Sequence, residues 1–327
     1  MIKAAILGGA AYTAGELLRL LINHPDVEIL WVNSPEHAGE LIADIHQGLL
    51  GETYLRFTTD TPWDDVDVLF SCLPHGEIKP FLAANDVPEE VKIIDLSRDF
   101  RLKTDEADHD FVYGLPELNR KPIVRGALHV ANPGSFATAV ELALLPLAEN
   151  GLLKSDIHVT AIGGSTFEDV NTLTQTNYSQ RNGNITLYKP FQHQQMGEIR
   201  QLVSSLQPDF DKEILMVTLR GCFTRGVVAV VYMTVDSDTD VEAIRALYDE
   251  AYIDHNFTFR SERYPDLKDV VNTNKCIIHV DKIGNRLLIT SVLDNLLKGG
   301  AGTAVHNMNL LFGLSERTGL TLKPSAF

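Results

Sequence analysis

Four side chains in this sequence are of the types that carry out nucleophilic catalysis: Ser135, Glu168, Asp169 and His193. A serine, a carboxylate and a histidine in this chain order match one known order of a hydrolytic triad. In such a triad the histidine takes the hydroxyl proton and the carboxylate orients the imidazole. Residue types alone do not establish a site, because Ser135 could simply begin the apolar helix that follows it and His193 could be a packed core residue.

A second candidate site is the glycine-rich segment from Gly8 to Gly15. It follows an apolar run at residues 2–7 and opens a stretch with a helical apolar face. Glycines at such a turn let the backbone approach a pyrophosphate, and the N-terminus of the helix attracts the negative charge. The strand–turn–helix context favours a dinucleotide site over a plain tight turn.

The end of the second predicted strand bears on the choice of dinucleotide. It reads Trp31-Val-Asn-Ser34 and lacks the acidic residue that would bind the ribose 2′-hydroxyl of NAD. This absence favours NADP. Ser34 and His37 are the candidates for its extra phosphate, although both could be ordinary loop residues.

These candidates need a frame of strands and helices. Apolar runs at residues 2–7, 27–32, 66–70 and 91–95 alternate with helical stretches. This alternation predicts an α/β domain with a Rossmann-type, doubly wound parallel sheet.

The pattern changes after Pro133-Gly134. A long apolar helix is predicted over residues 136–148, and longer alternating strands follow it. This mixture predicts an α+β domain with an antiparallel-rich sheet for substrate binding and dimerisation, over residues 135–298. Residues 1–134 and 299–327 form the first domain in this interpretation. Because one layer of helices cannot cover both faces of the second sheet, a homo-oligomer is predicted.

Composition excludes several classes of protein. A chain of 327 residues with a net charge of −16 fits two domains and argues against a nucleic-acid partner. No segment approaches the ~20 apolar residues of a membrane span, and the N-terminus does not read as a signal peptide. Three cysteines argue against a disulfide framework and favour a reducing cytoplasm. No metal site is predicted, and a small anionic substrate needs only a local basic pocket.

Four segments, taken together, are specific. They are the Gly8–Gly15 turn, Asp95-Leu-Ser-Arg-Asp-Phe-Arg101, Ala131-Asn-Pro-Gly-Ser-Phe-Ala-Thr138 and Asp294-Asn-Leu-Leu-Lys-Gly299. On these segments the whole chain resembles the N-acetyl-gamma-glutamyl-phosphate reductases of arginine biosynthesis, in the semialdehyde dehydrogenase superfamily. Its tail, with Val271-Asn-Thr-Asn-Lys-Cys276 and Lys323-Pro-Ser-Ala-Phe327, is similar to the Bacteroidetes-type branch. An acetyl or a succinyl substrate stays open.

The resemblance implies a phosphorylating aldehyde dehydrogenase that uses NADPH and forms a homodimer or homotetramer. In this family a cysteine thiolate attacks the acyl carbon, phosphate leaves, and NADPH reduces the thioester to an aldehyde. The nucleophile's position falls on Ser135, and the family's His-x-His pair falls on His193 and Gln195. Implied cofactor contacts are Gly8, Ala11, Tyr12, Thr13, Ser34, Pro133 and Asn295. Implied substrate contacts are Arg98, Arg101, Asn132, Ser165 and Arg181.

Several departures from the family fall on these positions. Ser135 replaces the cysteine, Ala11 and the Phe167-Glu168-Asp169 run replace small residues, Gln195 replaces a histidine, and Thr224 replaces a proline. Serine is far harder to ionise than cysteine, and an oxyester is a poorer hydride acceptor than a thioester. The sequence therefore predicts an impaired reductase.

Two further interpretations remain open. One is a remodelled site on the same scaffold that performs hydrolase-like chemistry with Ser135, His193 and a carboxylate. The other is a non-catalytic protein that keeps the fold for binding or assembly. The distances among Ser135, His193 and the carboxylate distinguish these two interpretations from each other. NADPH-dependent turnover would support the reductase.

Overall fold

The computed structural model describes residues 1–104, 110–167 and 178–325. The chain forms two compact units, each built from more than one stretch of sequence. Residues 1–133 and 300–321 make the first unit. Residues 134–299 make the second, together with the segment after Thr321, which the sequence interpretation had assigned to the first.

The first unit is built around a seven-stranded sheet. Its strands are β1 (Ile2–Leu7), β2 (Val27–Asn33), β3 (Phe57–Thr58), β4 (Val68–Ser71), β5 (Lys92–Asp95), β6 (Phe111–Tyr113) and β7 (His129–Ala131). They lie in the order β3-β2-β1-β4-β5-β7-β6, and every neighbouring pair is parallel. Its helices are α1 (Tyr12–Leu21), α2 (Ile42–Ile45), α3 (Ile78–Ala84), α4 (Pro116–Val124) and, from the C-terminal region, α9 (Gly302–Leu311). The predicted Rossmann-type sheet is confirmed.

Helix α1 shows why the apolar spacing predicted these elements. Ala14, Leu17, Leu18 and Leu21 recur at helical spacing and are buried. Strands β1, β4 and β5 are buried along almost their whole length, as expected of the middle of a parallel sheet covered on both faces.

The second unit contains a mixed seven-stranded sheet. Its strands are β8 (Ile157–Gly163), β9 (Thr186–Tyr188), β10 (Ile214–Arg220), β11 (Val227–Thr234), β12 (Thr258–Arg260), β13 (Cys276–Ile283) and β14 (Arg286–Leu293). The order is β12-β13-β14-β11-β8-β10-β9, and four of the six pairs are antiparallel. The helices are α5 (Ser135–Glu149), α6 (Tyr178–Arg181), α7 (Met196–Leu206) and α8 (Val241–Tyr252). The α+β prediction is confirmed.

Helix α5 forms the core of the second unit, and all its residues except Glu149 are buried. Pro146 lies inside it and has no N–H to donate to the carbonyl of Leu142, one turn earlier. The Tyr252 hydroxyl donates to that carbonyl instead, at 2.5 Å. A side chain from α8 thus supplies the hydrogen bond that the proline removes.

The sequence analysis missed several short elements. Strands β6, β7, β9 and β12 have only three residues each, too few for an alternation to be recognised. Helices α4 and α7 were also missed. Helix α4 contains Pro122, and α7 begins directly after the His193–Gln195 segment. Within the described ranges, no helix has the length and apolar character needed to cross a bilayer.

Candidate active site

The Gly8–Gly15 turn follows the carboxyl end of β1, which lies between β2 and β4 in the parallel sheet of the first unit. Gly8 has a φ of +69°, and a Cβ there would stand 2.6 Å from the carbonyl oxygen of Cys72. A Cβ on Gly9 would stand 2.3 Å from Cγ1 of Val32. Glycine is therefore required at both positions by the neighbouring strands.

Ala11 is the N-cap of α1 with an extended backbone, φ −67° and ψ 154°, so its methyl group causes no backbone strain. The Ala11 side chain itself makes no capping hydrogen bond. The N–H groups of the first turn, including those of Tyr12 and Thr13, have no acceptor within the helix and can bind an anion. The turn fits the pyrophosphate of a dinucleotide.

His46 supports this turn, although no pattern in the sequence pointed to it. Its Nε2 donates to the carbonyl of Gly9 at 2.7 Å. A Cβ on Gly15 would stand 2.6 Å from its Nδ1. Burial lowers the pKa of His46, so the ring is neutral at pH 7 with its proton on Nε2.

Ser34 and His37 lie directly after β2, as the sequence indicated. Ser34 is buried, and its N–H donates to the carbonyl of Thr58 at 3.1 Å. The His37 ring lies 5.9 Å from the ring of Phe57, with its Nδ1 3.4 Å from a carboxylate oxygen of Glu40.

Asn132 is tied into the first unit by both ends of its side-chain amide. Its Nδ2 donates to the carbonyl of Gly300 at 3.2 Å, and its Oδ1 accepts from Nδ2 of Asn307 at 3.2 Å. Arg101 is also buried, and its Nε donates to the Asn132 carbonyl at 2.8 Å. These contacts fix the chain just before Pro133. Arg98, by contrast, is exposed, and its backbone N–H donates to Nδ1 of His75.

Ser135 is the first residue of α5 and is only 7% exposed. Two side chains accept hydrogen bonds from N–H groups at this helix end. They are Gln195, the residue before α7, and Glu198 in the first turn of α7. Glu198 Oε2 accepts from the N–H of Gly134 at 2.9 Å, and Gln195 Oε1 accepts from the N–H of Ala137 at 2.9 Å. Gln195 therefore acts as a cap at the position of the family's second histidine. Glu198 was not anticipated.

His193 lies in an aromatic environment beside this helix end. Its ring centroid is 5.1 Å from that of Phe136 and 5.8 Å from that of Tyr188, both nearly edge-on. Burial, with a smaller effect of Lys189, lowers the pKa of His193 to about 4. The ring is neutral at pH 7. Its Nδ1 accepts from the N–H of Gln195 at 3.3 Å, so its proton is on Nε2.

A serine–histidine pair is not formed in this arrangement. In the described part of the chain, no group hydrogen-bonds to the Ser135 hydroxyl. His193 carries its proton on the nitrogen that a triad needs as its base. Glu168 and Asp169, the carboxylates proposed for the triad, lie outside the described residues.

Phe167 packs against Phe136 of α5, at a position where the resemblance implies a small residue. Its ring stacks on that of Phe136, with centroids 4.4 Å apart. A Cβ on Gly163 would stand 2.5 Å from Phe167 and 2.8 Å from Phe136. The rings of Phe136 and Phe167 therefore pack against each other and against Gly163, where a side chain would not fit.

Asn295 uses its amide within the second unit. Its Oδ1 accepts from the N–H of Gly226 at 2.6 Å, and its Nδ2 donates to Oγ1 of Thr166 at 3.0 Å. Ser165 lies in the same segment, and its N–H donates to the carbonyl of Phe223 at 2.9 Å. Asn295 thereby joins the segment after β8 to the loop before β11.

Arg181, which was predicted to bind the substrate, is the last residue of α6. It lies outside the two segments that Asn295 connects. It lines a cavity of about 170 Å³ together with Arg220, which the sequence analysis did not single out. The spacing of Arg181 and Arg220 along the sequence does not indicate that they are neighbours, because the pairing of β9 with β10 brings these segments together.

Comparison with known proteins bears on both units. Residues 3–125 match the family described as "Semialdehyde dehydrogenase, NAD binding domain". Residues 135–295 match "Semialdehyde dehydrogenase, dimerisation domain". Among solved structures, aspartate semialdehyde dehydrogenase II from Vibrio cholerae is similar, with a TM-score of 0.73 at 18% identity over 96% of this chain and 99% of that one. An NADP-containing aspartate semialdehyde dehydrogenase from Candida albicans gives 0.67 at 12% identity, over 95% and 98% of the two chains. These likenesses establish the fold.

Curated relatives match the chain from end to end. N-acetyl-gamma-glutamyl-phosphate reductases from Parabacteroides distasonis and Bacteroides thetaiotaomicron are 55% and 54% identical over 327 residues, with 100% of both chains covered. The corresponding protein from Christiangramia forsetii is 48% identical over the same length. The chain therefore belongs to the N-acetyl-gamma-glutamyl-phosphate reductase family of the semialdehyde dehydrogenases.

Proposed function

We propose that this protein reduces an N-acyl-gamma-glutamyl phosphate to its semialdehyde with NADPH, in arginine biosynthesis. The observation that carries the proposal is the full-length match, at 46–55% identity, to proteins named for that reaction. The acyl group is acetyl or succinyl. The local geometry agrees, because a hydroxyl stands at the start of the buried helix α5 where the family has its nucleophile.

NADPH supplies the hydride when it is bound. The residues that would hold its pyrophosphate are the Gly8–Gly9 turn and Tyr12 and Thr13, whose N–H groups lie in the first turn of α1 and have no acceptor within that helix. Ser34, at the end of β2, is the candidate for the phosphate that distinguishes NADP from NAD. Asn295 is better explained as a link within the second unit, since both ends of its amide are already hydrogen-bonded.

Acyl transfer requires the Ser135 oxygen to attack the acyl carbon, with release of phosphate and loss of the hydroxyl proton. The dipole of α5 favours an anion at its N-terminus. The Glu198 carboxylate, hydrogen-bonded to Gly134, opposes that effect. A hydroxyl is much harder to ionise than a thiol, and His193 is a weak base with its proton on Nε2. We therefore expect slow acyl transfer.

The test compares three proteins: the unmodified chain, Ser135→Cys and Ser135→Ala. NADPH formation is followed with the semialdehyde, NADP and inorganic phosphate. Ser135→Cys should be at least about 100-fold faster than the unmodified chain, because it restores the thiolate nucleophile. Ser135→Ala should be inactive. The proposal is overturned if Ser135→Cys, folded and able to bind NADPH, shows no turnover with either acyl substrate.

A homo-oligomer is part of the proposal. Helices α5, α7 and α8 pack on the second sheet. On β11 the buried residues alternate with half-buried Val228 and Val230 and with exposed Tyr232. An apolar, half-exposed sheet face of this kind is suited to pairing with a second copy. Light scattering at micromolar concentration should give twice or four times the chain mass, whereas a monomer would contradict this part.

A further inference from the structure

The imidazole of His46 contacts two separate parts of the glycine-rich turn in the first unit. His46 directly follows α2, and its Nε2 donates to the carbonyl of Gly9 at 2.7 Å. The other ring nitrogen faces α1, because a Cβ on Gly15 would stand 2.6 Å from Nδ1 of His46. The missing side chain at Gly15 therefore makes room for the ring that reaches Gly9.

The His46 ring is held in place by its own surroundings. The backbone N–H of His46 donates to the carbonyl of Ile42 at 2.9 Å, and its carbonyl accepts from the N–H of Leu49 at 2.8 Å. Its ring meets the ring of Phe57 on β3 edge-on, with centroids 6.3 Å apart. Burial lowers the pKa of His46, although the hydrogen bond to Gly9 opposes this effect. A neutral imidazole in a fixed position thus presents its Nε2 proton to Gly9.

Fixing the carbonyl of Gly9 also fixes the N–H group that follows it. In a trans peptide the C=O and the next N–H point in opposite directions, and the Gly9–Ala10 peptide is trans. The N–H of Ala10 therefore points away from His46. In the part of the chain that the structure describes, this N–H has no acceptor. The N–H of Gly9 itself donates to the carbonyl of Asn33 at 2.9 Å, so Gly9 is anchored on both sides.

We propose that His46 is a positioning residue of the dinucleotide site, which orients the Gly9–Ala10 peptide so that the Ala10 N–H donates to the pyrophosphate of NADPH. Ala10 directly precedes the N-terminus of α1, which attracts the same negative charge. Without the His46 donor the peptide can rotate, because glycine permits many backbone conformations. Binding would then have to order this peptide, at a cost in affinity. A hydrogen bond behind the binding group avoids that cost.

The test measures NADPH binding by calorimetry, without substrate and without turnover. It compares the unmodified chain with His46→Leu and His46→Gln. Leucine keeps apolar bulk but removes the donor, and it should weaken NADPH binding by about fivefold or more. Glutamine carries an N–H donor as many bonds from the backbone as Nε2 of histidine, so it should bind NADPH within about twofold of the unmodified chain.

A second ligand distinguishes positioning from a general structural role. Adenosine 2′-monophosphate carries the phosphate that distinguishes NADP from NAD but has no pyrophosphate. Its affinity should stay within about twofold in both His46 variants, because it does not contact the Gly9–Ala10 peptide. Gln47→Leu is the matched control, since Gln47 is the next residue and is exposed. This control should leave the affinity for both ligands unchanged.

Gly15→Ala tests the same mechanism from the other side of the ring, and it decides the question if His46→Leu does not fold. The added methyl group displaces the imidazole from Gly9, so NADPH binding should weaken about as much as in His46→Leu. Combining Gly15→Ala with His46→Leu should weaken binding little further, because both changes remove the same hydrogen bond.

The inference is overturned if folded His46→Leu binds NADPH as tightly as the unmodified chain, or if His46→Gln binds no better than His46→Leu. Equal weakening of both ligands also overturns it, because His46 would then support the whole unit. The inference rests on the proposed function for its cofactor, and absence of NADPH binding to the unmodified chain would overturn both. Failure of the proposed reaction alone looks different, because Ser135→Cys would lack turnover while NADPH binding still depends on His46.

Discussion

Gly299 packs against Ser135 at the start of α5 and leaves no room for a side chain between them. A Cβ built on Gly299 would stand 2.5 Å from the Cβ of Ser135 and 3.1 Å from its Cα. The same Cβ would stand 3.1 Å from Cδ1 of Leu293. The segment that ends in Gly299 therefore sets the position of the residue that takes the nucleophile's place.

This contact predicts that Gly299→Ala destabilises the protein by about 1–3 kcal/mol, because the added methyl group overpacks the helix start. Chemical denaturation measures the loss. Gly48→Ala is the control, since a Cβ there meets no atom within 4 Å. Replacing Ser135 with glycine should reduce the cost of Gly299→Ala, and an unchanged cost would show that Ser135 is not the obstacle.

The buried imidazole of His193 predicts a loss of stability in mild acid. Its pKa is about 4 in the folded protein, against 6.5 for an ordinary histidine. Between these values the unfolded chain binds a proton that the folded chain does not, so stability falls as pH falls through this window. From pH 7 to pH 5 the loss is about 2 kcal/mol. Denaturation of His193→Gln at the two pH values should show a drop smaller by that amount, and equal drops would contradict the assignment.

Because the Asp294 carboxylate is buried, we predict that even a conservative substitution of this residue strongly lowers the stability of the protein. Arg225 approaches it with Nη2 and Nε, each 3.1 Å from one oxygen, and the N–H groups of Asn272 and Leu296 also donate to it. Asp294→Asn should cost about 3–5 kcal/mol in the free energy of unfolding, because it removes the buried carboxylate that faces the Arg225 guanidinium.

The matched control for Asp294 is a pair of similar geometry whose carboxylate is exposed. Arg260 donates to both oxygens of Asp249, at 2.7 and 2.9 Å, but the Asp249 side chain is 54% exposed. Asp249→Asn should cost no more than about 1 kcal/mol. Similar losses at the two sites would mean that burial does not decide the energy of these pairs.

The methyl group of Ala11 predicts weaker cofactor binding than glycine at that position. Ala11 caps α1 next to the N–H groups expected to hold the pyrophosphate, and its φ of −67° suits alanine and glycine alike. Ala11→Gly should tighten NADP binding by roughly threefold to tenfold, about 1 kcal/mol. Calorimetry measures this, with Ala10→Gly as the neighbouring control. Equal affinities would show that the methyl group points away from the cofactor.

The sequence by itself determined the order and type of the main elements. Apolar spacing is a local property, so the predicted strand at residues 2–7 and the predicted helix at residues 136–148 match β1 and α5 to within one residue at each end. The Gly8–Gly15 turn was also readable, because strand, glycines and helix follow one another along the chain. Ser135 stood out for the same reason, as the residue between a Pro-Gly turn and an apolar helix.

Only the tertiary structure decided what surrounds these positions. Glu198 reaches Gly134, Gly299 packs on Ser135, and His46 donates to Gly9 across separations of 37 residues or more. No local pattern encodes such pairs, because they depend on which strands and helices become neighbours. The same holds for charge. The imidazole of His193 is an ordinary base in water, and its pKa falls mainly because Phe136 and its other surroundings exclude water from it, with a smaller effect of Lys189.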